Sequence, residues 1–157
     1  MRVLLQRVTR ASVTVDENVV ASIDSGLVAL IGITSNDTAD VADMLAMKCA
    51  NLRIFDDEGG VMNRSLLDLL AEGRPKSMLA VSQFTLYADC RKGRRPSYVK
   101  AARPEQALPL FEQFVAKITE SGVPVSKGLF GAEMAVELVN DGPVTIWLDS
   151  DDLRRGV

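Results

Sequence analysis

Apolar and polar positions alternate at the start of the chain, where Val3, Leu5, Val8, Val13 and Val15 stand among polar neighbours. A period near two predicts a long, half-buried strand over residues 2–16. Asp16-Glu17-Asn18 predicts a turn, and residues 19–23 a returning strand. After a second turn at Ser25-Gly26, residues 27–33 are apolar throughout, the pattern of a strand covered on both faces.

The period then changes. Val41, Met44, Leu45, Lys48, Cys49 and Leu52 recur near helical spacing. They predict a helix over residues 38–51, with Asn36, Asp37 and Thr38 as candidate N-caps. Residues 53–55 read as a short strand and 56–60 as a turn. Residues 65–70 fit a strand or a helix. Gly73 and Pro75 break the chain over residues 71–76, and residues 77–87 read as a further strand. Residues 88–102 form a basic loop. Pro104 suits a first helical position. Leu108, Phe111, Phe114, Val115 and Ile118 form the apolar stripe of a second helix that ends near Ser121-Gly122. Strands over 125–126, 132–139 and 144–149 complete the chain. The pattern predicts an α+β fold: one domain over residues 1–150, with a curved or barrel-like, mostly antiparallel sheet carrying two main helices. Residues 151–157 are expected to form a mobile tail.

The chain has 157 residues, enough for one buried core, and its 47% hydrophobic and 25% charged content is ordinary for a soluble globular domain. No apolar run approaches a membrane span, so no membrane partner is expected and the cytoplasm is the default location. Cys49 and Cys90 make no metal-binding spacing. The chain has no histidine, which removes Ser-His-Asp and Cys-His chemistry and most zinc sites. Catalysis would therefore use carboxylates, lysine, backbone dipoles or a group on the substrate, with no cofactor and no metal. The net charge of −3 argues against wholesale coating of nucleic acid. The positive charge is concentrated, however, in Arg91-Lys92-Gly93-Arg94-Arg95, with Lys100 and Arg103 close behind.

Three stretches carry candidate chemistry. In Asn140-Asp141-Gly142-Pro143-Val144-Thr145, a Gly-Pro peptide lies between two strand-like runs. Proline gives no N–H to a ladder and glycine leaves the neighbouring carbonyls uncovered, so backbone could meet a ligand here; an ordinary hairpin turn fits the same residues. Ser82-Gln83-Phe84-Thr85-Leu86-Tyr87 ends an apolar strand, and alternation would put Ser82, Phe84 and Leu86 on one face and Gln83, Thr85 and Tyr87 on the other. Thr85 as a nucleophile would need a base within reach, and no histidine can serve. Half-exposed strand residues are the alternative. In Gly128-Leu129-Phe130-Gly131-Ala132-Glu133-Met134, glycines around a phenylalanine suit either a close backbone approach to a flat ligand or a β-bulge.

Together with Gln6-Arg7-Val8, Ala11-Ser12-Val13, Asn51-Leu52-Arg53-Ile54-Phe55 and Met62-Asn63, these stretches resemble, in order, the D-aminoacyl-tRNA deacylases. The resemblance runs from Met1 to about Ser150. It implies a homodimeric hydrolase of the ester between a D-amino acid, or glycine, and the tRNA 3′ end. It implies that Ser82, Gln83, Phe84 and Thr85 line the catalytic pocket. A cis Gly142-Pro143 peptide would reach into the partner subunit's pocket as the chiral selector, with Arg7 helping to hold its loop. Phe130, Gly131, Ala132 and Met134 would lie around the terminal adenosine.

Rigid backbone beside the α-carbon would collide with an L side chain and leave a D side chain, or glycine's hydrogen, free. Without histidine, catalysis would rest on the substrate's own 2′-OH to position or activate water, and on backbone N–H groups near Phe84 and Thr85 to polarise the ester carbonyl. A covalent ester on Thr85 is the competing route. Arg91, Lys92, Arg94 and Arg95 would hold tRNA phosphates; a solvated charged loop is the alternative. A second class of function also fits: a non-catalytic module that binds an RNA end or a small ligand.

Overall fold

The computed structural model describes residues 1–155. The first strand, β1 (Arg2–Val15), organises the fold because three others pair with it: β2 (Asn18–Ile23), β3 (Gly26–Gly32) and β8 (Ala135–Asp149), all antiparallel. The sheet continues through β6 (Ser77–Ser82) and β7 (Val125–Lys127). β6 pairs with β3, and β7 with β6, in parallel. A parallel neighbour requires a crossover. The first crossover carries α1 (Ala39–Asn51), a hairpin of β4 (Phe55–Asp56) and β5 (Met62–Arg64), and α2 (Leu66–Ala71); the second carries α3 (Pro104–Glu120). The sheet is therefore mixed, its antiparallel part centred on β1. Ser126 on β7 donates a 3.2 Å hydrogen bond to the Ser22 carbonyl on β2, which continues the line of β3 along one side of β1 while β8 takes the other side.

β1 contributes side chains to both faces of the sheet. Val3 and Leu5 face the helices, in one core cluster with Leu27, Ile31, Met78, Leu45, Phe111 and Phe114. Val8, Ala11 and Val13 instead join Val28, Leu79 and Val81 on the other face. Leu5 and Val8 differ by ordinary alternation; of the two register irregularities, the one between Gln6 and Val8 puts extra residues in β8, and the one between Val8 and Arg10 puts one in β1 and keeps Ala11 and Val13 on the face of Val8. Each extra residue bends the strand and re-aims its side chains. The imperfect alternation after Val8 in the sequence is the trace of the β1 bulge.

Some segments depart from the sequence pattern. The strand expected over 77–87 ends at Ser82 and continues as a 3₁₀ turn, Phe84–Tyr87. Residues 65–70 are helical, fixed by a capping box in which the Ser65 hydroxyl accepts from Asp68 N–H and the Asp68 carboxylate accepts from Ser65 N–H. Thr38 precedes α1 without a side-chain cap bond. The two expected strands at the end of the chain are one, β8, with Gly142-Pro143 inside it. Of the expected tail, residues through Arg155 belong to α4 (Ser150–Arg155), and Gly156 and Val157 lie outside the described residues. No helix among the described residues is long and apolar enough to cross a membrane.

Candidate active site

β3 and β6 end side by side, Ile31 paired with Ser82. The Gln83 N–H donates to the Ile31 carbonyl at 2.7 Å, and Gln83 then leaves the strand at φ −144° and ψ 80°. The alternation expected for Phe84 to Tyr87 is lost at this point. Buried Tyr87 draws the chain back into the core, and the 3₁₀ turn is the short path there. Arg2 holds the far end of the turn: its Nη1 donates to the Leu86 carbonyl at 2.9 Å and its guanidinium lies 4.4 Å over the Tyr87 ring. Burial, then the charges of Asp37 and Asp149, push the Tyr87 phenol well above its ordinary pKa, so it stays neutral. Phe84 and Thr85, the first residues of the turn, have N–H groups with no acceptor inside it. The Gln83 amide donates to Thr85 Oγ1 in a very short contact.

A cleft of about 380 Å³ opens beside this turn. Ile31, Ile33, Ala102 and Ala107 make it apolar; Ser82 and Gln83 supply polar groups; Phe84, Tyr98, Phe130 and Gly131 form its walls, and Arg103 and Pro104 its rim. Phe84 and Tyr98 meet edge to face, centroids 5.1 Å apart at 77°. Phe130 is backed by Phe111 at 6.0 Å. An apolar concavity with a few convergent polar groups suits a flat, partly polar ligand.

The fold thus brings Ser82, Gln83 and Phe84, at the end of β6, together with Phe130 and Gly131, from the connection between β7 and β8. Thr85 is not among the residues that line the cleft, and its hydroxyl accepts from the Gln83 amide. Ala132 closes the turn after Phe130 through a 3.2 Å bond from its N–H to the Leu129 carbonyl. Met134 packs on the second core cluster, with Val13 and Val136.

Gly142 and Pro143 are joined by a cis peptide bond and are exposed. They bulge from β8 opposite Arg7, between the Gln6–Thr145 and Val8–Asn140 pairs, and neither lines the cleft of this chain. The Arg7 side chain is buried, and its Nη1 donates to the Ile54 carbonyl at 2.7 Å and to Asp56 Oδ1 at 3.2 Å. Its Nε lies 3.0 Å from Asp141 Oδ2, an ion-pair contact without hydrogen-bond alignment.

Within the basic loop, residues 90–100 are exposed, and paired backbone bonds between Asp89 and Ser97, 2.8 and 3.0 Å, close its base. Arg91 grips Asp89 through both Nε and Nη2. The Arg91 side chain and N–H hold the Asp89 carboxyl far below the usual carboxylate range. Cys90 is an exposed free thiol, whereas burial pushes the Cys49 thiol far up and keeps it inert.

The family model of D-Tyr-tRNA(Tyr) deacylase matches residues 4–149. The chain belongs to the D-Tyr-tRNA(Tyr) deacylase family. A D-aminoacyl-tRNA deacylase of Thermomicrobium roseum is 58% identical over 156 residues, covering 99% of this chain and 98% of the relative. One of Thermus aquaticus is 55% identical over 152 residues, 97% of each. Among solved structures, a c-Myc DNA unwinding element binding protein superposes with a TM-score of 0.85 at 37% identity, covering 95% of this chain and 98% of its own. Deacylase membership gives the cleft its context, and it directs attention to residues that the motifs left out. Tyr98 lines the cleft from the C-terminal part of the basic loop, and Arg103 from the residue before α3. Tyr98 carried one signal, an aromatic residue after a charged loop. Gly32 ends β3 with no room for a side chain: a Cβ there would lie 2.9 Å from Leu86 Cβ and 3.1 Å from the Gln83 carbonyl oxygen.

Proposed function

We propose that the cleft at the ends of β3 and β6 holds the aminoacylated 3′-terminal adenosine of tRNA and that ester hydrolysis occurs beside the Phe84–Tyr87 turn. As a deacylase of this family, the chain is a hydrolase that frees D-amino acids from mischarged tRNA, a chiral proofreading step in translation. The observation that carries the placement is the meeting of Ser82-Gln83-Phe84 with Phe130-Gly131 around one apolar cleft, next to N–H groups left open by the turn. Those N–H groups would stabilise the charge that develops on the ester carbonyl oxygen.

The route we favour uses the substrate's 2′-OH to orient or activate water. Thr85 Oγ1 has an amide as its neighbour, and an amide cannot take its proton. We further propose that the enzyme acts as a homodimer. Gly142 and Pro143 are exposed on β8, away from this chain's own cleft, so they would act as chiral selector in the cleft of a second copy. Their backbone would stand where an L side chain must point and leave room for a D side chain or for glycine. The exposed Lys92, Arg94 and Arg95 would meet tRNA phosphates, in the cytoplasm where charged tRNA is used.

The test is release of free amino acid from D-Tyr-tRNA and L-Tyr-tRNA by the pure protein. Hydrolysis of the D ester alone is expected. Binding of both esters without release would instead describe an RNA-end binding module. A 2′-deoxyadenosine-terminated substrate cleaved at the normal rate would sink the hydroxyl-assisted route.

A further inference from the structure

Between the basic loop and α3, the chain runs along the rim of the cleft and is fixed there. The Thr34 hydroxyl donates to the Lys100 carbonyl at 2.6 Å, and the Ala102 N–H donates to the Ile33 carbonyl at 2.8 Å. Thr34 and Ala101 form a β-bridge, and the Gln106 amide donates to the Ser35 carbonyl at 2.8 Å. These four links fasten residues 100–106 to the chain that leaves β3, whose last side chains floor the cleft. Two exposed cations, Lys100 and Arg103, ride on this fastened segment. Arg103 itself lines the cleft. Arg91 is occupied by Asp89, whereas neither Lys100 nor Arg103 forms an ion pair among the described residues. Lys100 follows by three residues Ser97, whose backbone pairs with Asp89 at the base of the basic loop.

The cations therefore run in order from cleft to loop: Arg103, Lys100, then Lys92, Arg94 and Arg95. An RNA strand whose terminal nucleoside occupies the cleft carries its next negative charge on the 5′ phosphate of that nucleotide, at the cleft's rim. We infer that Arg103 binds the phosphodiester on the 5′ side of the terminal adenosine, and that Lys100 carries the strand onward to the basic loop. A guanidinium can clasp a phosphate with two parallel N–H groups. The fastened backbone places it before the substrate arrives, which reduces the ordering cost of binding. Arg103 is thus a binding residue that separates a nucleotide-bearing substrate from a bare aminoacyl nucleoside.

This inference rests on the placement of the ester in the cleft, and the experiment tests the two separately. Wild type, Arg103→Gln, Arg103→Lys, Lys100→Gln and Phe130→Ala are assayed on D-Tyr-tRNA and on the D-tyrosyl ester of adenosine, which has no phosphate. On D-Tyr-tRNA, Arg103→Gln is expected to reduce kcat/KM roughly tenfold, mostly through KM, as fits the removal of one charge-assisted hydrogen-bonding group. The salt dependence of binding should flatten by about 0.7 for each phosphate no longer neutralised. Lys100→Gln should act in the same direction more weakly, and Arg103→Lys should recover part of the loss. On the adenosine ester, which carries no phosphate, each of the three variants should lose several-fold less than it loses on D-Tyr-tRNA, so the ratio of the two losses reads the phosphate contact. Equal losses on both substrates would make Arg103 a wall of the cleft and overturn the inference, as would an unchanged rate and salt slope on tRNA. Phe130→Ala reports on the placement alone: losses on both substrates are expected, and none on either would remove the cleft reading whatever Arg103 does.

Discussion

The buried guanidinium of Arg7 holds its Nε 3.0 Å from Asp141 Oδ2, one residue before the exposed Gly142-Pro143 peptide. A residue in the middle of β1 thereby ties down a bulge of β8, while its Nη1 reaches the Ile54 carbonyl on the chain entering β4. Arg7→Ala would free the bulge and leave the Ile54 carbonyl without its charged donor. Hydrogen bonds to charged groups contribute about 1.5–3 kcal/mol, and a loss of that order in unfolding free energy is expected. Arg7→Lys should recover little, since one ammonium cannot serve partners on both sides. Denaturant unfolding, paired with the ratio of D-Tyr-tRNA to L-Tyr-tRNA hydrolysis, checks both effects; selectivity should fall in each variant.

Thr85 separates the two chemical routes. Its hydroxyl accepts from Gln83, and Thr85 is not among the residues that line the cleft. Thr85→Ala should keep its single-turnover rate on D-Tyr-tRNA within about tenfold of wild type, a loss that fits a missing orienting group and not a missing nucleophile. A loss of four orders of magnitude, or a trapped ester on Thr85, would establish the covalent route.

Gly32 packs under the Phe84–Tyr87 turn, beside which we place hydrolysis. A methyl group there would press on Leu86 Cβ at 2.9 Å and on the Gln83 carbonyl oxygen at 3.1 Å. Gly32→Ala should therefore shift the turn by a few tenths of an ångström or more. Overpacking of this kind costs about 1–3 kcal/mol, and misplacement approaching 1 Å lowers rates by about 100-fold. A fall in kcat that exceeds the change in KM, with the fold retained by circular dichroism, is the expected result.

In the basic loop, Arg91 is already engaged by Asp89, and Lys92, Arg94 and Arg95 point outward. Arg94→Ala combined with Arg95→Ala should weaken tRNA binding and lower its salt slope by about 0.7–0.9 for each phosphate released. Arg91→Ala should lower the slope less, because its charge is spent within the loop. Filter binding or fluorescence titration across a salt series distinguishes the variants.

Asp149 contributes to stability in a defined pH window. Burial works to raise its pKa, but the Asp151 N–H, the Arg2 side chain and the charge of the chain's ammonium end together hold it below the ordinary carboxylate value. Because the folded value is the lower one, the unfolded state takes up the proton first. The stabilisation is complete above about pH 5 and is lost as pH falls through the folded pKa. Between about pH 5 and 3, the unfolding midpoint of Asp149→Asn should fall less steeply with acid than that of wild type. Parallel curves would show that other carboxylates dominate acid unfolding.

Much of the architecture was legible in the sequence because each element carries its own period: alternation in β1, an unbroken apolar run in β3, helical spacing in α1 and α3. The capping box at Ser65 and Asp68 would also have settled α2, since Ser-x-x-Asp before an apolar pair is a helix start. Among the residues that line the cleft, Ser82, Gln83, Phe84, Phe130 and Gly131 already stood out as motif residues in the sequence. Tyr98 and Arg103 did not, because a residue in a loop joins a site only through what the fold lays beside it.

By itself the sequence determined the α+β composition, the absence of histidine chemistry and membership in a family recognised by several collinear motifs. Tertiary structure decided three further things. It ended β6 at Ser82, because buried Tyr87 pulled the chain inward. It parted Gly142-Pro143 from this chain's own cleft, because the extra residues of β8 between Asn140 and Thr145 bulge out beside Arg7. It set Arg103 at the rim, because hydrogen bonds between residues 33–35 and 100–106 join segments far apart in the chain. Local periodicity reports which face of an element is buried; which elements meet depends on pairings that no local window contains.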